Sequence, residues 1–227
     1  MRKISMIITS LICAVIISLV FIGGKAEAAS NDNKPKTGDW TLFTDNTPCM
    51  MSEEDSTRIS AALKDHGGNF DVLGLVATQV VSGTNYMYLA YGKEANEAIP
   101  RYYFIKLYSD TKGNNSIASV ASIDVTNIQT GTPIGKGATG AWAVRSSGKP
   151  GMLSDQSAQE SFDAVNNGDV KFNPVALLAT QPVSGTNYKA LCTGSDKNLY
   201  VITWYADLQG NASLTSAECV NIGAYTK

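Results

Sequence analysis

Residues Ala77-Thr78-Gln79-Val80-Val81-Ser82-Gly83-Thr84-Asn85-Tyr86 return as Ala179-Thr180-Gln181-Pro182-Val183-Ser184-Gly185-Thr186-Asn187-Tyr188, 102 residues further along the chain. A fixed offset over a long stretch marks a duplicated structural unit. The same offset pairs Gly38 with Gly140, Trp40 with Trp142, Pro48 with Pro150, Met50 with Met152, Ser52 with Ser154 and Phe70 with Phe172. From Gly38 to Gly92 no gap is needed and 19 of 55 positions are identical, so the unit extends far beyond the decapeptide. Past Gly92 the offset falls to 97: Tyr103 to Asp110 returns as Tyr200 to Asp207, and Gly113-Asn114 as Gly210-Asn211. A length change confined to one polar stretch is what a surface loop tolerates. Each copy is roughly 90 residues, enough for one modest core.

Within a copy, a short extended stretch comes first, Gly38 to Leu42 or Gly140 to Val144. A helix follows. Ser52 with Asp55 has the shape of a capping box, and Ile59, Ala62 and Leu63 recur at helical spacing; Ser154, Ala158, Phe162 and Val165 do the same in the second copy. Gly67, Gly68 and Gly168 end the helices. Phe70 to Val81 is rich in β-branched and aliphatic residues, Ser82-Gly83-Thr84 reads as a turn, and Asn85 to Tyr91 as the returning strand. Two more strands, Tyr102 to Tyr108 and Ser116 to Val125, join through Lys112-Gly113-Asn114-Asn115; the second copy repeats them as Leu199 to Tyr205 and Ala212 to Ile222. The pattern predicts an α+β fold, each unit running β-α-β-β-β-β, with one helix covering one face of an antiparallel sheet.

The first 28 residues differ in kind. Arg2 and Lys3 precede an almost unbroken apolar run from Ile7 to Ile22, and Ala26-Glu27-Ala28 has the small-x-small pattern of a signal-peptidase site. The reading is a signal peptide over 1–28 and a secreted product; an uncleaved anchor is the alternative, against which the short run and the cleavage motif both argue. Residues 29–37 read as a disordered lead-in. Residues 127–139, with Gly131, Pro133, Gly135 and Gly137, read as a flexible linker that lets 38–126 and 140–227 move independently.

Without the signal the chain holds 15 basic and 19 acidic residues, and no basic patch suggests nucleic acid. Cys49, Cys192 and Cys219 share no position between copies, which is no disulfide framework; isolated thiols are expected, with a Cys192 to Cys219 bridge as the alternative. No Cys-x-x-Cys or ligand cluster suggests a metal, and no cofactor is implied. The chain's one histidine, His66, faces Gly168 in the repeat, and a helix separates it from Cys49, so a duplicated catalytic centre is excluded and the protein is not expected to be an enzyme.

The hairpin motif Gln79-Val80-Val81-Ser82-Gly83, with its Thr84-Asn85-Tyr86 continuation, resembles the Gln-x-Val-x-Gly signature of the cystatins, protein inhibitors of papain-like cysteine proteases. It falls at the first hairpin tip after the helix, where that family has it. Gly38-Asp39-Trp40 and Gly140-Ala141-Trp142 are similar to the glycine and aromatic of the family's amino-terminal trunk. The resemblance spans nearly the whole mature chain and implies two tandem cystatin-like domains. It implies a wedge that enters a protease cleft: Gly38, Gln79, Val80, Val81, Ser82 and Gly83 in the first copy, and Gly140, Gln181, Pro182, Val183, Ser184 and Gly185 in the second. The partner implied is a papain-like cysteine protease bound by a monomer that has no membrane contact after signal cleavage. One departure is that the family's second loop presents Pro-Trp, whereas Thr111-Lys112-Gly113-Asn114-Asn115 and Leu208-Gln209-Gly210-Asn211 stand here. The competing reading is a non-inhibitory extracellular protein-binding module with the cystatin fold.

Overall fold

The segment predicted as the longest strand carries a run of consecutive buried residues, Leu73 to Ala77. A sheet with one wet face buries alternate residues, so such a run needs cover on both faces. A computed structural model, which describes residues 38–42, 51–124, 140–144, 153 and 155–226, supplies both covers. The expected signal peptide, lead-in and linker, and Cys49, lie outside the described residues.

The first copy contains β1 (Trp40–Leu42), α1 (Glu53–His66), β2 (Asn69–Val81), β3 (Gly83–Lys93), β4 (Arg101–Asp110) and β5 (Asn115–Ile123). The second contains β6 (Ala143–Val144), α2 (Gln156–Val165), β7 (Phe172–Val183), β8 (Gly185–Gly194), β9 (Leu199–Ala206) and β10 (Ala212–Cys219), followed by a 3-10 turn, Ile222–Tyr225. Each copy makes a five-stranded antiparallel sheet in chain order, and the class is α+β.

The helices start where local chemistry supplies a cap. Ser52 Oγ accepts the amide of Asp55, as the capping box predicts. In the second copy the cap is Asp155, whose carboxylate accepts the amides of Ser157 and Ala158, one residue later than the expected Ser154. The shift carries through the helix: Ile59 and Phe162, and likewise Ala62 and Val165, are buried against the sheets 103 residues apart. Under α1 lie Leu75, Tyr88, Tyr103, Ile105 and Leu107. Under α2 lie Leu177, Tyr188, Ile202 and Trp204, with the Trp204 indole donating to Ser161 Oγ at 2.9 Å. Trp204 is thus a core residue, satisfied in its one polar atom.

Paired bulges bend the long strand over its helix. The β2 and β3 register slips between Val72 and Gly74 and between Leu75 and Ala77; β7 and β8 slip at the equivalent Pro174/Ala176 and Leu177/Ala179. Each extra residue sharpens the local twist and lets the sheet coil.

The opposite faces of the two sheets pack on each other. One continuous core holds Leu73, Val76, Ala77, Met87, Leu89, Tyr102, Phe104 and Ile123 from the first copy with Val175, Ala176, Leu178, Leu191, Leu199, Val201 and Ile222 from the second. Matching positions face inward on both sides, Val76 with Leu178 and Leu89 with Leu191 among them, so the contact has the self-complementary character of a twofold interface within one chain. The Tyr102 hydroxyl donates to Leu177 O at 3.0 Å, Lys106 Nζ donates to Thr226 O at 2.8 Å, and the Tyr225 ring meets Phe104 edge-on at 5.0 Å. Layers therefore run helix, sheet, sheet, helix. The copies are joined by packing as well as by the chain, and the independent motion expected from the linker gives way to one packed body within Pro35–Lys227.

One charged side chain among the described residues is buried, and it lies here. Lys189, 7% exposed, stands where the first copy has Met87, and the Trp142 ring lies 4.6 Å from its Nζ. Burial pushes its pKa below the ordinary lysine range, while the carboxylates of Glu218 and Asp124 act in the other direction.

Candidate functional site at the hairpin tips

The chain reverses between β2 and β3 about Ser82, with Val81 paired to Gly83. Gly83 has φ +142°, and a Cβ there would stand 2.4 Å from Ser109 O; Gly185 has φ +141°, with Ala206 O 2.3 Å from the same point. Only glycine lets β3 or β8 approach its neighbour this closely at the apex. A tyrosine braces each apex: Tyr108 donates its hydroxyl to Ser82 O at 2.8 Å, and Tyr205 donates to Ser184 O at 2.7 Å.

The trunk glycine is tied to the same tip. Gly38 N–H donates to Val80 O at 2.9 Å, Gln79 Nε2 donates to Gly38 O at 2.7 Å, and Asn85 Nδ2 donates to Gln79 Oε1 at 2.6 Å. The second copy reproduces each bond, Gly140 to Pro182 O at 2.9 Å, Gln181 to Gly140 O at 2.8 Å and Asn187 to Gln181 at 2.7 Å. Pro182 fits because the tip uses its carbonyl, which proline retains.

The next turn lies alongside, since Gly83 registers with Asp110. The Asp110 carboxylate accepts the amides of Lys112 and Asn114 and the Asn114 side-chain amide, at 2.8, 2.9 and 2.8 Å; Asp207 receives Gln209 and Asn211 in the same way at 2.9, 2.8 and 2.8 Å. The side-chain bond from Asn114, or from Asn211, leads the causes that hold each carboxyl below the usual range, the turn amides adding to it.

All twelve residues expected at the contact thus gather into two tips, each with trunk, first turn and second turn in a row at one sheet end. Their exposure divides them. Val80 is 46% and Val183 39% exposed, and Ser82, Ser184, Pro182, Gly38 and Gly140 also face solvent, whereas Val81 is half-buried. Gln79 and Gln181 are half-buried and engaged inside the tip, and Gly83 and Gly185 serve the strand contact. Sequence reasoning quoted Asn85 with the motif but passed over Tyr108 and Asp110 as parts of the tip, although their recurrence as Tyr205 and Asp207 was the available signal. Leu208, named from the sequence in the second copy's second turn but not among the contact residues, is 80% exposed.

Elsewhere, His66 lies exposed at the end of α1 with its ring 6.4 Å from Phe70. Cys192 and Cys219 register against Tyr200 from opposite sides, so two strand spacings, about 9–10 Å, separate their backbones, beyond disulfide reach. Among the described residues no three His, Cys, Asp or Glu side chains gather as metal ligands, and no helix is long and apolar enough to cross a membrane. Comparison with protein-family models, with curated proteins and with solved structures finds no match.

Proposed function

We propose that the protein is a secreted inhibitor of papain-like cysteine proteases, built from two cystatin-like units, whose hairpin tips enter the active-site cleft. The observation that carries this reading is the alignment of Gly38, the Val80–Gly83 apex and the Asp110–Asn114 turn at one sheet end, repeated in the second copy. A wedge needs a narrow leading edge that is already formed, because an ordered tip loses little conformational entropy on binding. Val80 and Val183 supply slim apolar side chains at that edge. The bonds from Gln79, Asn85 and Tyr108 hold it rigid.

The polar closure of both second turns on Asp110 and Asp207 favours a second reading, a non-inhibitory extracellular binding module of the same fold. Titration of the purified protein against papain and further members of its class separates the two. Val80→Asp and Val183→Asp change exposed side chains, so the fold is retained while a charge meets the cleft; together they weaken inhibition by roughly 10- to 100-fold. Bulky replacements of Gly83 or Gly185 are not a clean test, because they strike the hairpin itself. Absence of inhibition of every such protease at micromolar protein would discard the inhibitor reading.

A further inference from the structure

The two tips share one scaffold and differ in what they present. Glutamine, apex glycine, asparagine, tyrosine and capping aspartate occupy equivalent places in both, with bond lengths that agree within about 0.1 Å. The outward positions do not agree. Asp39, Val80, Thr111 and Lys112 in the first copy become Ala141, Pro182, Leu208 and Gln209 in the second. Beyond the capping aspartates, Asp110 and Asp207, each engaged with its own turn, the first tip carries two charged side chains at these positions, Asp39 and Lys112, and the second carries none. A single exposed leucine needs no explanation. Leu208 is not single: Thr186 registers with Ala206 and Tyr205 braces Ser184, which sets the turn after β9 beside the β7–β8 apex and its exposed Pro182 and Val183.

Resting on the inhibitor reading, we propose that the tips are heads of unlike specificity, the second seeking an apolar cleft with Leu208 as its specificity-determining side chain, the first a polar one. A duplicated contact surface held to one backbone shape can change its choice of partner only through such outward side chains. At the second tip every one of these four changes removes charge, adds apolar surface or stiffens the chain. Pro182 adds the stiffness without disturbing the trunk, whose bond is to its carbonyl.

Calorimetric titration of the full chain with papain, its active-site thiol blocked by a small alkyl group, tests this. Two unequal sites are expected. Leu208→Thr weakens the tighter one about tenfold and leaves the other unchanged, and Thr111→Leu tightens the weaker one. Leu208 is exposed, so its replacement leaves the melting temperature in place; the gain expected from Thr111→Leu guards against a folding effect. If Leu208→Thr binds as the parent does while Val183→Asp still abolishes a site, the specificity proposal falls and the inhibitor reading stands. If neither papain nor any other papain-like protease binds the parent chain, both fall.

Discussion

Replacing Phe104 by alanine tests whether the inter-sheet core joins the copies into one cooperative structure. Phe104 is fully buried in that core and meets Tyr225 edge-on at 5.0 Å. Deleting a buried phenylalanine costs about 3–5 kcal/mol, which includes the cavity left behind; the lost ring pair lies within that range. In a body of this size each kcal/mol moves the melting temperature by roughly 2–4 °C, so a fall of about 10 °C is expected. The assay is fluorine NMR of protein labelled with fluorotryptophan, which reports Trp40 in the first copy and Trp204 in the second separately during denaturant unfolding. Both resonances should shift at one common midpoint, lower in Phe104→Ala than in the parent, although Trp204 lies under α2, on the far face of the other sheet. The reasoning is refuted if the Trp204 midpoint stays in place while that of Trp40 moves, since independent copies would behave in that way.

Three further outcomes follow from the tips and the core. Gly185→Val should cost about 3 kcal/mol or more, because its Cβ would overlap Ala206 O; Gly113→Ala, with open space but φ +87°, should cost only about 1 kcal/mol, both read by chemical denaturation. Gln79→Ala removes the donor to Gly38 O and the acceptor of Asn85, for about 1–2 kcal/mol, and should speed hydrogen exchange at the Gly38 amide while the Gly140 amide keeps its rate. Lys189 has a folded-state pKa below its unfolded value, so its charge destabilises the protein throughout the neutral and acid range. That cost disappears as pH rises through the lowered folded value toward the unfolded one. Stability should therefore climb across that alkaline window in the parent, and the climb should be missing in Lys189→Met, measured as the difference between the two melting curves.

The α+β class, the helix positions and every major strand could be read from periodicity and from the repeat, because both signals are local. The sheet-to-sheet core could be read only in part. Val72-Leu73-Gly74-Leu75-Val76-Ala77 is a continuous apolar run rather than an alternating one, which already asked for two covered faces, but a sequence does not say what supplies the second cover. The glycine-rich linker pointed the other way, since its composition reports the freedom of the backbone and not the packing of what it connects. At the tips, the repeated decapeptide marked both hairpin apices, yet a repeat cannot separate residues that hold an apex in shape from residues that face outward from it. Gln79, Gly83 and Asn85 prove to be bonded or close-packed inside the tip, whereas Val80 and Leu208 point outward. The single-residue shift of α2 was hidden by Ser154, which matched the repeat while Asp155 made the cap.

The shared core also fixes the spacing of the two tips. Tethered binding sites gain avidity through effective concentration, and a flexible tether spreads that gain over many spacings, whereas a rigid one confines it to targets that match. If both tips bind, the chain acts as a caliper: two free proteases are held no more tightly than one, and only a surface bearing two clefts at the set separation is gripped with the product of both affinities.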